Sequence, residues 1–314
     1  MTTALTATSA PADRTPRGPR GLLWTVLRVH RTALVFWALA LLGATAVLIW
    51  MYVIADEARK GNVPCMTPAR DGFPGCASIE SITVDDVYAG WIELVATSLT
   101  YAILPVAGWA GGSLIGRELE SGTARLAWTQ SVTPTRWLAA KLAVPAVLLT
   151  IGTGGLVLLN NWARGDGDPD LVGDWYNADA FIGTGPTTVG YTLAGLALGA
   201  LAGLLLRRAL AGAGVGFLAA LVLCGVLERF REDLWPAVTR SQAGEFELPR
   251  STWQLGWDTT WGRHPGEGEP LATSATFHPR SHYWPIQYVE TGILLAVAAA
   301  ATLAAFWLLR RRTP

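Results

Sequence analysis

"TTVGYTLAGLALGALAGLLLRRALAGAGVGFLAALVLCGVLE", Thr187 to Glu228, contains two apolar runs, 187–206 and 209–228, parted only by Arg207-Arg208. At about 1.5 Å rise per residue, roughly 20 apolar residues cross the ~30 Å hydrocarbon core of a bilayer. Lipid offers the backbone no hydrogen bonds, so each run must be a helix. The stretch therefore reads as a helical hairpin crossing a membrane twice, with the arginine pair as a tight turn at the surface. Four more runs of this kind lie outward from it, at 32–55, 91–116, 137–160 and 288–309. With 51% apolar and 15% charged residues, the composition lies outside the soluble range. The expected fold class is all-α: a polytopic membrane protein with six transmembrane helices.

Charge placement sets the expected orientation. Residues 1–31, the 117–141 region, Arg207-Arg208 and the C-terminal tail share one side. They hold 14 Arg/Lys against three acids, Asp13, Glu118 and Glu120. The other side holds 10 Arg/Lys and 19 acids. By the positive-inside rule both termini are expected in the cytoplasm. The zero net charge thus hides an asymmetry across the membrane and gives no reason to expect a nucleic-acid partner.

Residues 1–20, rich in Thr, Ala, Pro and Arg, are expected to be a disordered cytoplasmic tail, with 21–314 forming a single six-helix domain. The run 32–55 is too long for a signal-peptide core, and no small-x-small site follows it. Gly21 to Arg31, "GLLWTVLRVHR", places Leu22, Leu23, Val26, Leu27 and Val29 on one helical face and arginines on the other. That pattern predicts a helix lying in the membrane interface.

Three segments are expected outside. Residues 56–90 carry Cys65 and Cys76, and a disulfide between them is expected on the oxidising side. Residues 161–186 carry five aspartates. The large loop 229–287, between the fifth and sixth spans, contains five tryptophans and reads either as segments dipping into the interface or as a compact cap. Gly195, Gly199 and Gly203, with Gly212 and Gly216, recur every four residues and permit close helix packing, within one subunit or between two. Cys224 reads as a small packing residue. Pro105 and Pro145 are expected to kink their spans.

Few residues suggest catalysis. A phosphate loop would end Gly-Lys-Ser/Thr, but the two lysines, Lys60 and Lys141, are followed by Gly61 and Leu142. His278 and His282 have a chelating spacing, yet Pro279 follows the first and no acidic third ligand is near, so no metal site is expected. Glu93 and Glu290 lie just inside the outer ends of their spans. They read either as carboxylates reaching headgroup water or as members of a transport path.

The remaining polar interruption is "RELESGTARLAWTQSVTPTRW", Arg117 to Trp137, between the second and third spans. Glu118 and Glu120 extend the second helix into water and Gly122 breaks it. Thr123 is expected to cap a short helix over 124–130, and Thr133-Pro134 to start the third span. Leu119, Leu126 and Trp128 add an apolar face suited to docking on another protein.

Extended to Leu142, this loop resembles the Glu-x-x-x-Gly-Thr…Thr-Pro…Lys-Leu signature of type 2 ABC-transporter permeases, which are related in fold to ABCG-type half-transporters. The matching positions are Glu118, Gly122, Thr123, Pro134 and Lys141. Where that family often has leucines, this chain has Ala127, Trp128 and Gln130. The resemblance implies a non-enzymatic exporter subunit of the bacterial plasma membrane, a homodimer or a heterodimer with a similar permease. Two copies of a separate ATPase, carrying the ATP and Mg, would bind below it. Glu118, Glu120, Gly122, Thr123 and Arg125 would couple that ATPase to the spans. Glu118 is expected to pair with Arg117, Arg125 or a basic residue of the partner. Without the resemblance, the layout equally fits a non-transporting structural or signalling subunit, or a membrane enzyme whose active site is not visible.

Overall fold

A computed structural model describes residues 22–65, 83–129, 132–165, 167–243, 247–260 and 272–312. Among them, six helices are long and apolar enough to cross a membrane. A short helix α1 (Leu22–Val29) precedes α2 (Arg31–Cys65), the first span. α1 is where the interfacial helix was expected. Val26 is buried and the Arg28 guanidinium lies 4.8 Å from the centre of the Trp24 ring. α2 continues well past residue 55, because Glu57, Ala58 and Arg59 remain good helix formers in water. An Asp56–Arg59 pair at 2.7 Å spans one turn there. The expected Cys65–Cys76 disulfide falls outside the described side chains.

The second span is the least regular. α3 (Val84–Tyr101) starts where the Asp86 carboxylate accepts from the backbone N–H of Thr83 at 3.1 Å. It yields to α4 (Ile103–Trp109) at Ala102. Pro105 has no N–H to give Tyr101 and its ring crowds that carbonyl, which accounts for the break. A π-helical segment, Ala110–Gly116, then leads into α5 (Arg117–Glu120) and α6 (Thr123–Thr129). The third span, α7 (Pro134–Arg164), starts as its sequence predicts. Thr133 Oγ1 accepts from Arg136 N at 3.4 Å, with Pro134 at the first helical position. Pro145 sits inside α7 without ending it.

Two short helices, α8 (Pro169–Val172) and α9 (Ala178–Thr184), connect to α10 (Thr187–Leu206). α11 (Ala209–Phe230) returns, and α12 (Tyr283–Arg312) is the last span. α10 is central: 67% of its most apolar stretch is buried, against 6% for the first span. It packs on α12, α11, α4 and the π-helical segment. The glycines make this possible within one chain. A Cβ on Gly199 would lie 2.2 Å from the Ala107 carbonyl oxygen, and one on Gly111 would lie 2.2 Å from that of Gly212. Backbones thus touch where side chains would otherwise hold helices about 8–10 Å apart.

The 229–287 loop adds structure that the helical reading did not anticipate. It contains a three-stranded antiparallel sheet of β1 (Val238–Gln242), β2 (Trp253–Thr260) and β3 (Ala272–His278), ordered β1-β3-β2. Thr273, Ala275 and Phe277 of β3 are buried. Trp253 stacks on Tyr176 and meets Trp175 edge-on, which seats the sheet on the bundle as a cap.

Candidate functional site

The break after the second span is made by Gly122, at φ +76° in open space. This left-handed conformation is open to glycine and strained for a β-branched residue. It reverses the chain so that α6 begins at Thr123 itself. The Thr123 hydroxyl does not cap α6; it donates back to the Glu118 carbonyl of the preceding turn at 3.3 Å.

Glu118 finds neither Arg117 nor Arg125. Its carboxylate takes a short, charge-assisted hydrogen bond from Lys141 Nζ on α7, and Trp137 Nε1 donates to it at 3.1 Å. The α5 turn carries the carboxylate alongside the first two turns of α7, so the lysine 23 residues away reaches it before either loop arginine. Lys141 is only 3% exposed, and its Nζ also lies 2.8 Å from His30 Nε2. An ammonium only donates, so His30 accepts there and carries its proton on Nδ1. Burial and the neighbouring Lys141 charge lower the His30 pKa to about 4, with Glu118 opposing weakly. His30 is therefore neutral at physiological pH. Its ring packs edge-on against Trp109 at 5.6 Å. One carboxylate thus joins the second span, the third span and the α1–α2 junction.

Glu120 reaches another element. Its Oε2 accepts from the Ala209 backbone N–H at 2.8 Å, the first amide of α11. A carboxylate there also meets the positive end of the helix dipole. Of the motif residues, Glu118, Glu120, Gly122 and Thr123 are thus tied together. Arg125 is exposed on α6, and its side chain makes no hydrogen bond among the described residues. Leu126 is 59% exposed, whereas Leu119 and Trp128 pack on the core.

At the opposite end of the bundle the two intramembrane acids part company. Glu93 is exposed on α3, whose helix starts at Val84, not near 91. Glu290 is fully buried and takes three hydrogen bonds from two side chains. Arg231 donates to it twice, at 2.8 and 3.2 Å, and Tyr191 Oη donates at 2.6 Å. A carboxylate reaching headgroup water is thus excluded for Glu290. Arg231 also lies 4.7 Å over the Phe181 ring. His278 Nε2 donates to the Glu232 carbonyl at 2.9 Å, and its Nδ1 lies 3.0 Å from His282 Nδ1. The histidine pair is thus bound to the fold, and no cluster of three or more potential metal ligands occurs among the described residues.

Sequence reasoning passed over His30, Trp137 and Arg231 as site residues. His30 and Arg231 sit at the water-facing ends of greasy runs, where a charge or an imidazole ordinarily needs no partner. Lys141 offered the better signal, as an isolated lysine one turn inside a span.

The family model for ABC-2 membrane transporter related proteins matches residues 36–231, more than half of the chain. The chain belongs to the ABC-2 membrane transporter related family. The match runs from the first span to Arg231 and takes in the α5–α6 loop; the sheet and α12, with Glu290, follow it. Membership makes this ABC-2 chain a non-catalytic membrane subunit of a transporter. No curated protein and no solved structure matches it.

Proposed function

We propose that the chain is the permease subunit of an ABC exporter in a bacterial plasma membrane. It works as a dimer, of two identical or two similar permeases, with both termini and the α5–α6 loop in the cytoplasm. Two copies of a separate ATPase, which bind the ATP and Mg, dock on that loop. The 14-to-3 excess of basic residues on the loop side supports the orientation. The observation that carries the coupling reading is the double tether. Glu118 holds Lys141 and, through it, His30, while Glu120 holds the first amide of α11. A push on α6 is therefore delivered at once to the third span, the α1–α2 junction and the fifth span. The exposed Leu126 offers a docking surface an apolar anchor, with Arg125 beside it as a charged one. Glu93, exposed in the second span, is the acid available to a substrate; Glu290, locked by Arg231 and Tyr191, braces the outer end.

The test is coupling in the purified permease–ATPase complex. Glu118→Ala strands the buried Lys141 charge, so it changes stability and coupling together. Glu118→Gln keeps an acceptor for Lys141 and Trp137 and separates the two. Gly122→Val strains the turn by roughly 1–3 kcal/mol. Both Glu118→Gln and Gly122→Val are expected to insert and assemble, while ATP-driven transport and its effect on hydrolysis fall. Wild-type transport in both would remove the loop from the mechanism.

A further inference from the structure

Beside α6 lies a small cavity, about 60 Å3, at the junction of α6 with the ends of α10 and α12. Its rim is Arg125 of α6, Arg207 just past α10, and Arg312 at the last turn of α12; its apolar wall includes Leu204, Leu308 and Leu309. No acid lines it. The two carboxylates closest in sequence are engaged elsewhere, Glu118 with Lys141 and Glu120 with the Ala209 amide. Arg312 Nη1 donates to the Leu204 and Leu205 carbonyls at 2.8 and 3.3 Å, so the negative end of α10 is already neutralised. Arg207 is held at φ +54°, a left-handed conformation uncommon for a non-glycine residue, which fixes its backbone at the mouth.

Three exposed arginines line one small volume, a positively charged site suited to an anion. The volume excludes a drug-sized molecule, which needs roughly 300–1,000 Å3. It suits a single phosphate, which guanidinium groups bind with paired, charge-assisted hydrogen bonds. The leucines decide the source. They belong to the last turns of two membrane spans, with Leu204 and Leu309 in the core and Leu308 packed against it, so the pocket lies at the end of the spans, where lipid headgroups begin. We propose that this pocket binds the phosphate of one anionic phospholipid, and that the bound lipid clamps α6 to the ends of α10 and α12. The proposal needs only that the chain sits in a membrane; it does not depend on the coupling role of the loop.

The test uses the full chain alone, without an ATPase, in nanodiscs of phosphatidylcholine doped with phosphatidylglycerol, with retained lipids counted by native mass spectrometry. The wild-type protein is expected to retain phosphatidylglycerol preferentially. Arg125→Gln, which breaks no bond seen in the fold, is expected to lower that retention roughly fivefold, the contribution of one arginine near an anionic surface. Arg240→Gln, on β1 at the other end of the molecule, is expected to leave it unchanged. Excess glycerol 3-phosphate, which lacks the tails, is expected not to displace the lipid. Equal retention of the two lipids, or wild-type retention in Arg125→Gln, would overturn the proposal. Displacement by glycerol 3-phosphate would overturn it in favour of a free phosphate site.

Discussion

Three charged residues are buried in the protein, where charge is expensive: Lys141, Arg231 and Glu290 are each 3% exposed or less. Each is partnered, and the pairing dictates what substitution does. Arg231→Met leaves Glu290 buried and uncompensated, and is expected to cost about 3–5 kcal/mol. The double variant Arg231→Met/Glu290→Met removes the orphan and is expected to recover most of that loss. Thermal unfolding in detergent measures both; a double variant no more stable than Arg231→Met would show that the pair is not the relevant unit. His30 makes a pH prediction. Its folded pKa, about 4, lies below its ordinary 6.5, so the folded chain binds fewer protons there than the unfolded chain. Its contribution to stability is complete above pH 6.5 and is lost as pH falls toward 4. The stability advantage of wild type over His30→Asn is expected to shrink through that window, and a gap constant with pH would contradict it.

At the scale of elements, the centre of the bundle is held by backbone contact between α4, the π-helical segment, α10 and α11. Gly199→Leu would place a Cβ 2.2 Å from the Ala107 carbonyl oxygen, with backbone rather than a flexible tip as the obstacle. The variant is expected to lose the folded, monodisperse species on size exclusion, whereas Gly225→Leu, with nothing within 4 Å of its Cβ, is expected to keep it. The same elements show how much was legible in advance. Length and hydropathy located the six spans, since lipid leaves a long apolar run only one backbone solution. Thr133-Pro134 and Gly122 marked their boundaries because cap and left-handed positions restrict residue type. The ends of α2 and α3 were misplaced because a helix does not stop where hydrocarbon stops; polar helix formers carry it into water. The sheet was hidden because β1 passes over its sequence neighbour β2 to pair with β3. Their pairing, such as Val238 with Phe277, is set by tertiary contacts that no local pattern announces. Similarly, Glu118 offered two nearby arginines, and only the register of α5 against α7 decides for Lys141.

The whole molecule is organised around two polar anchors at opposite ends of an apolar bundle. At one end Arg231, Glu290 and Tyr191 bind α12 to α10 and to the start of the cap. At the other, Glu118 and Glu120 bind the loop to α7 and α11. On the reading proposed above, a bundle stapled at one end and gripped at the other would pass a push on the loop to the spans as a rigid movement. The claim that the α5–α6 loop is a docking site is tested most directly by a photo-crosslinking residue at Leu126, exposed on α6, in cell membranes, with one at Arg240 in the cap as control. The account predicts that position 126, and not position 240, yields an adduct with a protein containing an ATP-binding Gly-Lys-Ser/Thr loop. An α6 that yields no nucleotide-binding partner, or the same adduct from both positions, would contradict it.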